Sequence, residues 1–168
     1  SLSRPWMMQI CPDNPAGWRQ AVSPRCLPQN NSPQYLVTGQ RYDRERMLER
    51  EYFEDVVNDR VISVMDNRLA FTAAFVDERC GSLDGSFLYL GSCSSGQDSR
   101  LADAFLRKGA TAVVANTDTI STIYNLSMQY QTVEYMTQID PATANAYTLE
   151  KALALSMEKL SEKDFRFG

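Results

Sequence analysis

The chain has 168 residues, of which 43% are hydrophobic and 23% are charged, and its formal net charge is −4. These values are typical of a single globular domain, and the acidic balance gives no support for nucleic-acid binding. The chain contains no histidine, which excludes a histidine metal site and removes the most common general base. We expect no metal and no cofactor. The apolar runs are too short to predict a membrane span.

Residues 1–33 contain six of the seven prolines and show no sustained hydrophobic period. This composition predicts an extended arm, followed by an α/β domain over residues 34–168. Cys11 and Cys26 both lie in the arm, and a disulfide between them would indicate an extracytoplasmic compartment. Two unpaired thiols fit the sequence equally well. Because the chain begins at Ser1 and not at a methionine, we expect a processed product or a part of a longer protein.

The first half of the domain alternates strand and helix signals. The predicted strands are residues 34–38, 60–65 and 68–71, and the predicted helices are residues 43–57 and 73–79. Gly39 is expected to stop the first strand, while Asp43 and Thr72 are expected to cap the two helices. Asp66 and Asn67 form a hairpin signal between the second and third strands.

The second half contains a strand, a turn, a helix and a strand in succession. Apolar residues 87–90 predict a buried strand, residues 101–108 an amphipathic helix that ends at Gly109, and residues 112–115 a second buried strand. Such a unit places its two strands side by side and parallel in one sheet. Beyond it, the pattern predicts a helix over residues 120–130, a weak strand over 132–136 and a helix over 143–160.

Cys93 lies in the turn after the first of these two strands. The turn should emerge at the carboxyl edge of the sheet, where open α/β sheets bind their ligands. The helix that follows should direct its N-terminus toward the turn and favour the thiolate. We therefore expect an accessible thiol that lies close to the turn of residues 116–118.

The residues around Cys93 resemble those of a known family. Residues 87–96 (FLYLGSCSSG) and 101–114 (LADAFLRKGATAVV) are similar to the caspase-like cysteine peptidases, which include caspases, gingipains, clostripain and separase-type proteases. In the bacterial members, an apolar strand ends in a Cys-x-Ser-like turn. A helix follows the turn, and after a Gly-Ala pair comes the next strand. The resemblance implies a three-layer α/β fold with a mainly parallel central sheet, of which this chain could hold only a part.

The resemblance also implies a role for each residue of the first turn. Cys93 would be the nucleophile that forms an acyl-enzyme, and backbone amides near Gly91, Ser92 and Ser94 would stabilise the oxyanion. The alternatives are structural. A cysteine at the end of a core strand can simply fill space, and serines allow the backbone to turn tightly.

Asn116, Thr117 and Asp118 follow the second parallel strand, where this family commonly builds its substrate pocket. The carboxylate of Asp118 could pair with an arginine or lysine side chain of a peptide or protein substrate. The alternative is that Asp118 caps the helix that follows.

The family pairs its nucleophile with a histidine, and this chain has none. One hypothesis is therefore part of a caspase-like cysteine endopeptidase whose histidine comes from another segment or chain. The alternatives are a non-catalytic binding or scaffold module on the same fold, a pseudoenzyme, and an unrelated α/β binding domain. The isolated chain should not hydrolyse peptides, because a cysteine without a base is a weak nucleophile.

Overall fold

The computed structural model describes residues 6–10, 35–47, 50–64, 67–161, 164 and 166. The strands are β1 (Trp6–Ile10), β2 (Tyr35–Arg41), β3 (Val61–Val64), β4 (Arg68–Thr72), β5 (Phe87–Leu90), β6 (Ala112–Asn116), β7 (Ile139–Asp140) and β8 (Asn145–Ala146). The helices are α1 (Arg44–Met47), α2 (Arg50–Val57), α3 (Ala73–Arg79), α4 (Arg100–Arg107), α5 (Thr122–Met136) and α6 (Leu149–Leu160). Helices and strands are mixed along the chain, which confirms the predicted α/β class.

The strands belong to separate small sheets, with the strand orders β1-β6-β5, β2-β4-β3 and β7-β8. The chain divides into two compact units, one of residues 1–8, 89–96 and 114–168 and the other of residues 9–88 and 97–113. β1 lies within the stretch predicted as an arm and is a strand. Cys11 and Cys26 lie outside the described residues, so their disulfide stays a prediction.

The predicted strand–helix–strand unit is present as β5, α4 and β6. β5 and β6 are neighbours. Hydrogen bonds join the start of β5 to the start of β6 and the end of β5 to the end of β6, which shows that the two strands run in the same direction. Before the strands, the Thr111 N–H donates to Ser86 O at 2.7 Å, and at their ends Asn116 Nδ2 donates to Leu90 O at 3.3 Å. Gly109 ends the helix region with φ +97°, a conformation that favours glycine.

The two strands differ in burial, which corrects the expectation that both are largely buried. Every residue of β6 is buried, whereas in β5 only Leu90 is buried and Phe87 is 37% exposed. The strand order explains the difference, because β6 lies between two described neighbours and β5 lies at the edge of the three. The apolar face of α4 is buried as predicted, including Leu101 and Phe105.

The predicted hairpin is also confirmed, since β3 and β4 pair antiparallel. Asn67 has φ +56° at the turn, which asparagine tolerates better than most residues. β2 pairs antiparallel with the other side of β4. It does not stop at Gly39 as predicted but continues to Arg41, and its register shifts between Val37 and Arg41. A glycine in a strand commonly accompanies such a bulge.

The predicted helix over residues 120–130 and the predicted strand over 132–136 are a single helix, α5. Ser121 caps it, because its Oγ accepts a hydrogen bond from the Tyr124 N–H at 3.3 Å. α5 packs along α6, and the Thr132 hydroxyl lies 3.2 Å from that of Ser156 between them. Tyr124, Met128 and Leu153 belong to the hydrophobic core of this unit.

The last helix begins later than predicted. Residues 139–146 form the hairpin of β7 and β8, and α6 starts at Leu149 with Thr148 as its N-cap. Asp140, 5% exposed, accepts hydrogen bonds from Lys151 Nζ at 2.8 Å and from the Ala142 N–H at 2.9 Å. These two contacts hold the pKa of Asp140 below its usual range. The bond from Lys151 attaches the hairpin to α6, and the bond from Ala142 lies within the hairpin.

None of the helices in the described part of the chain has the length and apolar character to cross a bilayer.

Candidate active site around Cys93

The turn after β5 is tied to the end of β6 by a buried hydroxyl. Ser95 Oγ lies 2.8 Å from Leu90 O and 2.9 Å from Ser92 O, and it accepts a hydrogen bond from the Asn116 N–H at 3.2 Å. Ser95 is only 5% exposed. Its hydroxyl therefore bridges polar backbone groups at the ends of both strands, where water has little access.

The turn then passes very close to β6. A Cβ atom at Gly96 would lie 3.0 Å from the Ala115 Cβ, and the Gly96 N–H donates to Asn116 O at 2.7 Å. Ser94 has φ +57°, in the left-handed region that costs a residue with a side chain about 1–2 kcal/mol. Its N–H donates to Asp118 O at 3.0 Å. The first turn is thus bonded directly to the residues that were predicted to form the substrate pocket.

Of the three predicted pocket residues, Asn116 is fully buried. Its Nδ2 lies 3.3 Å from both Leu90 O and Ser92 O, so it holds the first turn from within. Thr117 is partly exposed and Asp118 is exposed. Asp118 Oδ1 accepts a hydrogen bond from the Thr119 N–H at 2.7 Å. Only Thr117 and Asp118 can meet a molecule from solvent, and Asp118 also stabilises its own loop.

Cys93 is exposed, as predicted, and it is a free cysteine. Its Sγ donates a weak hydrogen bond to the carbonyl of Ile120 at 3.4 Å. α4 begins only at Arg100, so residues 94–99 separate its first turn from Cys93 along the chain. The partner that orients the thiol is therefore a carbonyl of the loop after β6.

Asn125, in the first turns of α5, provides a further contact to the turn. Its Nδ2 donates to Gly91 O at 3.0 Å. A Cβ atom at Gly91 would lie 2.7 Å from that nitrogen, so the hydrogen bond depends on the glycine. The structure thus brings Gly91, Ser92, Cys93 and Ser94 together with residues 116–118.

Ser95 was expected, with the other serines of the turn, to help the backbone turn tightly, and its hydroxyl does bond the backbone there. Sequence reasoning missed two residues of this cluster, Ile120 and Asn125. Ile120 acts through its carbonyl, and Asn125 acts from another helix. Neither contact has a local sequence signal.

The chemistry available to the cluster is that of one accessible thiol with polar backbone around it. The chain has no histidine. No group of three or more Cys, Asp or Glu side chains within the described residues is placed to hold a metal. Among the turn amides, those of Ser94, Ser95 and Gly96 donate to carbonyls of the cluster.

Comparisons of the chain with protein-family models, with curated proteins and with solved structures find no match.

Proposed function

We propose that this chain is the nucleophile-bearing part of a caspase-like cysteine endopeptidase. It would belong to a three-layer fold of that family with a mainly parallel central sheet. One observation carries the proposal. An exposed thiol, Cys93, stands at the carboxyl ends of two adjacent parallel strands and is bonded into one cluster with the 116–118 loop. Ligand sites of open α/β sheets lie at this edge.

In the proposed reaction, Cys93 Sγ attacks the carbonyl carbon of a peptide bond and forms a thioester acyl-enzyme. The thiol proton passes to a histidine supplied from outside this chain and then to the leaving amine. Water, activated by the same histidine, then releases the acyl group. The proton that Cys93 now donates to Ile120 O is the one that the histidine would remove.

The oxyanion would be stabilised by backbone amides near Gly91 and Ser92. Ser94 was predicted to contribute as well, but its amide donates to Asp118 O at 3.0 Å. It could serve only after it releases that carbonyl. The exposed carboxylate of Asp118 would select an arginine or lysine side chain of the peptide or protein substrate.

A second candidate is a non-catalytic binding or scaffold module on the same fold. It is favoured by the hydrogen bond of the thiol to a backbone carbonyl, because a carbonyl cannot act as a base that generates the thiolate. The absence of histidine from all 168 residues favours it too.

The two candidates separate in a turnover assay with fluorogenic peptides that end in Arg, Lys or Asp. The isolated chain is expected to give no turnover, because it has no histidine to act as the general base. The protein expressed from the complete reading frame is expected to cleave Arg or Lys peptides. Cys93→Ala should abolish that cleavage, and Cys80→Ala, which removes the half-buried cysteine of the other unit, should preserve it.

Activity that survives Cys93→Ala would refute the proposal that Cys93 is the nucleophile. If the complete reading frame contains no histidine and its protein shows no turnover, the non-catalytic module is the candidate that remains. Turnover by the isolated chain that depends on Cys93 would show that an external histidine is not needed.

A further inference from the structure

The loop between β6 and α5 carries two contacts that orient the Cys93 turn. The carbonyl of Ile120 accepts the hydrogen bond of the Cys93 thiol at 3.4 Å, and the carbonyl of Asp118 accepts that of the Ser94 amide at 3.0 Å. Both acceptors are backbone carbonyls of this one loop. The direction of the thiol therefore depends on what holds residues 117–121 in place.

Asp164 holds this loop from a position far along the chain. Its Oδ2 accepts a short hydrogen bond from the N–H of Ser121, the residue directly after Ile120, and its Oδ1 accepts one from the Arg166 N–H at 3.0 Å. Asp164 is only 4% exposed. Burial opposes its ionisation, but the hydrogen bonds from Ser121 and Arg166 outweigh burial and hold the pKa of Asp164 below its usual range.

Ser161, three residues before Asp164, makes a second contact with α5. The Tyr124 hydroxyl donates to Ser161 O at 2.6 Å, and Tyr124 is 4% exposed. Ser161 and Asp164 are therefore both bonded at the start of α5, one to the Tyr124 hydroxyl and the other to the Ser121 amide. A negative charge at a helix N-terminus is also favourable, because the first amides of a helix lack partners within it.

We propose that Asp164 is a positioning residue of the Cys93 site, which fixes the Ser121 amide and through it the Ile120 carbonyl that orients the thiol. The inference deepens the proposed function and rests on it for its meaning. In a peptidase, the thiol must leave this carbonyl before it gives up its proton. The rigidity of the loop then controls how readily the nucleophile is released.

The test measures alkylation of each cysteine by iodoacetamide at a fixed pH, read residue by residue by mass spectrometry. The quantity compared is the rate at Cys93 divided by the rate at Cys80, because Cys80 belongs to the other unit and reports general unfolding. Asp164→Ala is expected to raise this ratio about threefold or more, the factor that loss of one modest hydrogen bond implies.

Two variants control for indirect effects. Asp164→Asn keeps one oxygen for the Ser121 amide, and its ratio should stay within about twofold of the wild type. Asp140→Ala removes another buried carboxylate of the same unit, one that bonds a backbone amide and Lys151. Its described contacts lie in the β7–β8 hairpin and α6, so the ratio should not change.

A folded Asp164→Ala protein with an unchanged ratio overturns the proposal, and so does an equal rise in Asp140→Ala. If Asp164→Ala does not fold, Tyr124→Phe carries the test, because it removes the hydroxyl that bonds Ser161 O without removing a buried carboxylate. Its ratio should rise about twofold, and an unchanged ratio then overturns the proposal. Iodoacetamide reacts with the thiolate that forms in buffer and requires neither a catalytic histidine nor a peptide, so these results stand independently of peptide turnover.

Discussion

Replacing Ser95 with alanine should destabilise the protein by about 2 kcal/mol, because it removes the hydroxyl that joins the ends of β5 and β6. The Asn116 N–H donates to Ser95 Oγ, and both groups are buried. An amide left without a partner in such a place costs about 1–3 kcal/mol. The two carbonyls that Ser95 contacts, of Leu90 and Ser92, also lie 3.3 Å from Asn116 Nδ2. They keep a partner, so they should add little to the loss.

The measurement is urea unfolding of the wild type and the variant, with the free energy taken by linear extrapolation. A loss of about 2 kcal/mol corresponds to a fall of about 4–8 °C in Tm for a chain of this size. Ser82→Ala is the matched control, because Ser82 Oγ also accepts a hydrogen bond from a backbone amide, that of Asp84, but on the surface. It should change stability by no more than about 0.5 kcal/mol. Equal effects of the two substitutions, or a loss below about 0.5 kcal/mol for Ser95→Ala, would refute the reasoning.

Gly96→Ala should cost about 1–3 kcal/mol in urea unfolding, because the new methyl would crowd Ala115. Gly39→Ala, where a Cβ meets nothing within 4 Å, should cost much less, and a reversed order would contradict the packing. Asp140 and Asp164 have lowered pKa values in the folded protein, so the unfolded chain binds protons first as pH falls. The stability that they contribute should be fully present above about pH 4, the usual range of a free aspartate. It should be lost as pH falls through the lower folded values. Asp140→Asn and Asp164→Asn should each reduce the fall in urea midpoint between pH 6 and pH 3. An unaltered fall would show that the carboxylate replaced does not contribute to the pH dependence of stability.

The sequence predicted most where the determining signals are local. Apolar strands on either side of an amphipathic helix, with Gly109 at its end, were enough to predict β5, α4 and β6 and their adjacency. The position of Cys93 followed from the same pattern, because a turn after a parallel strand must emerge at one edge of the sheet. The hairpin of β3 and β4 had its own turn signal at Asn67.

Elements whose conformation depends on a distant partner could not be predicted in this way. Residues 132–136 have a composition that suits a strand, yet they continue α5, because Thr132 packs against Ser156 of α6. Residues 143–146 have a helical pattern, yet Asn145 and Ala146 pair with β7 in a hairpin, which Asp140 bonds to Lys151 of α6. In both stretches the local preference is weak, and tertiary contacts outweigh it.

The candidate site divides in the same manner. A single sequence segment determines the turn from Gly91 to Gly96, since its small residues allow the tight backbone and the close approach to β6. The acceptor of the thiol, Ile120 O, and the carboxylate that holds the loop, on Asp164, are 27 and 43 positions from the groups they bind. A backbone carbonyl has the same chemistry in every residue type, so the sequence does not mark Ile120 as an acceptor. The residues next to Asp164 in the sequence do not indicate that it bonds Ser121. Tertiary structure brings these groups together: the packing of α5 against α6 returns Ser161 and Asp164 to the start of α5.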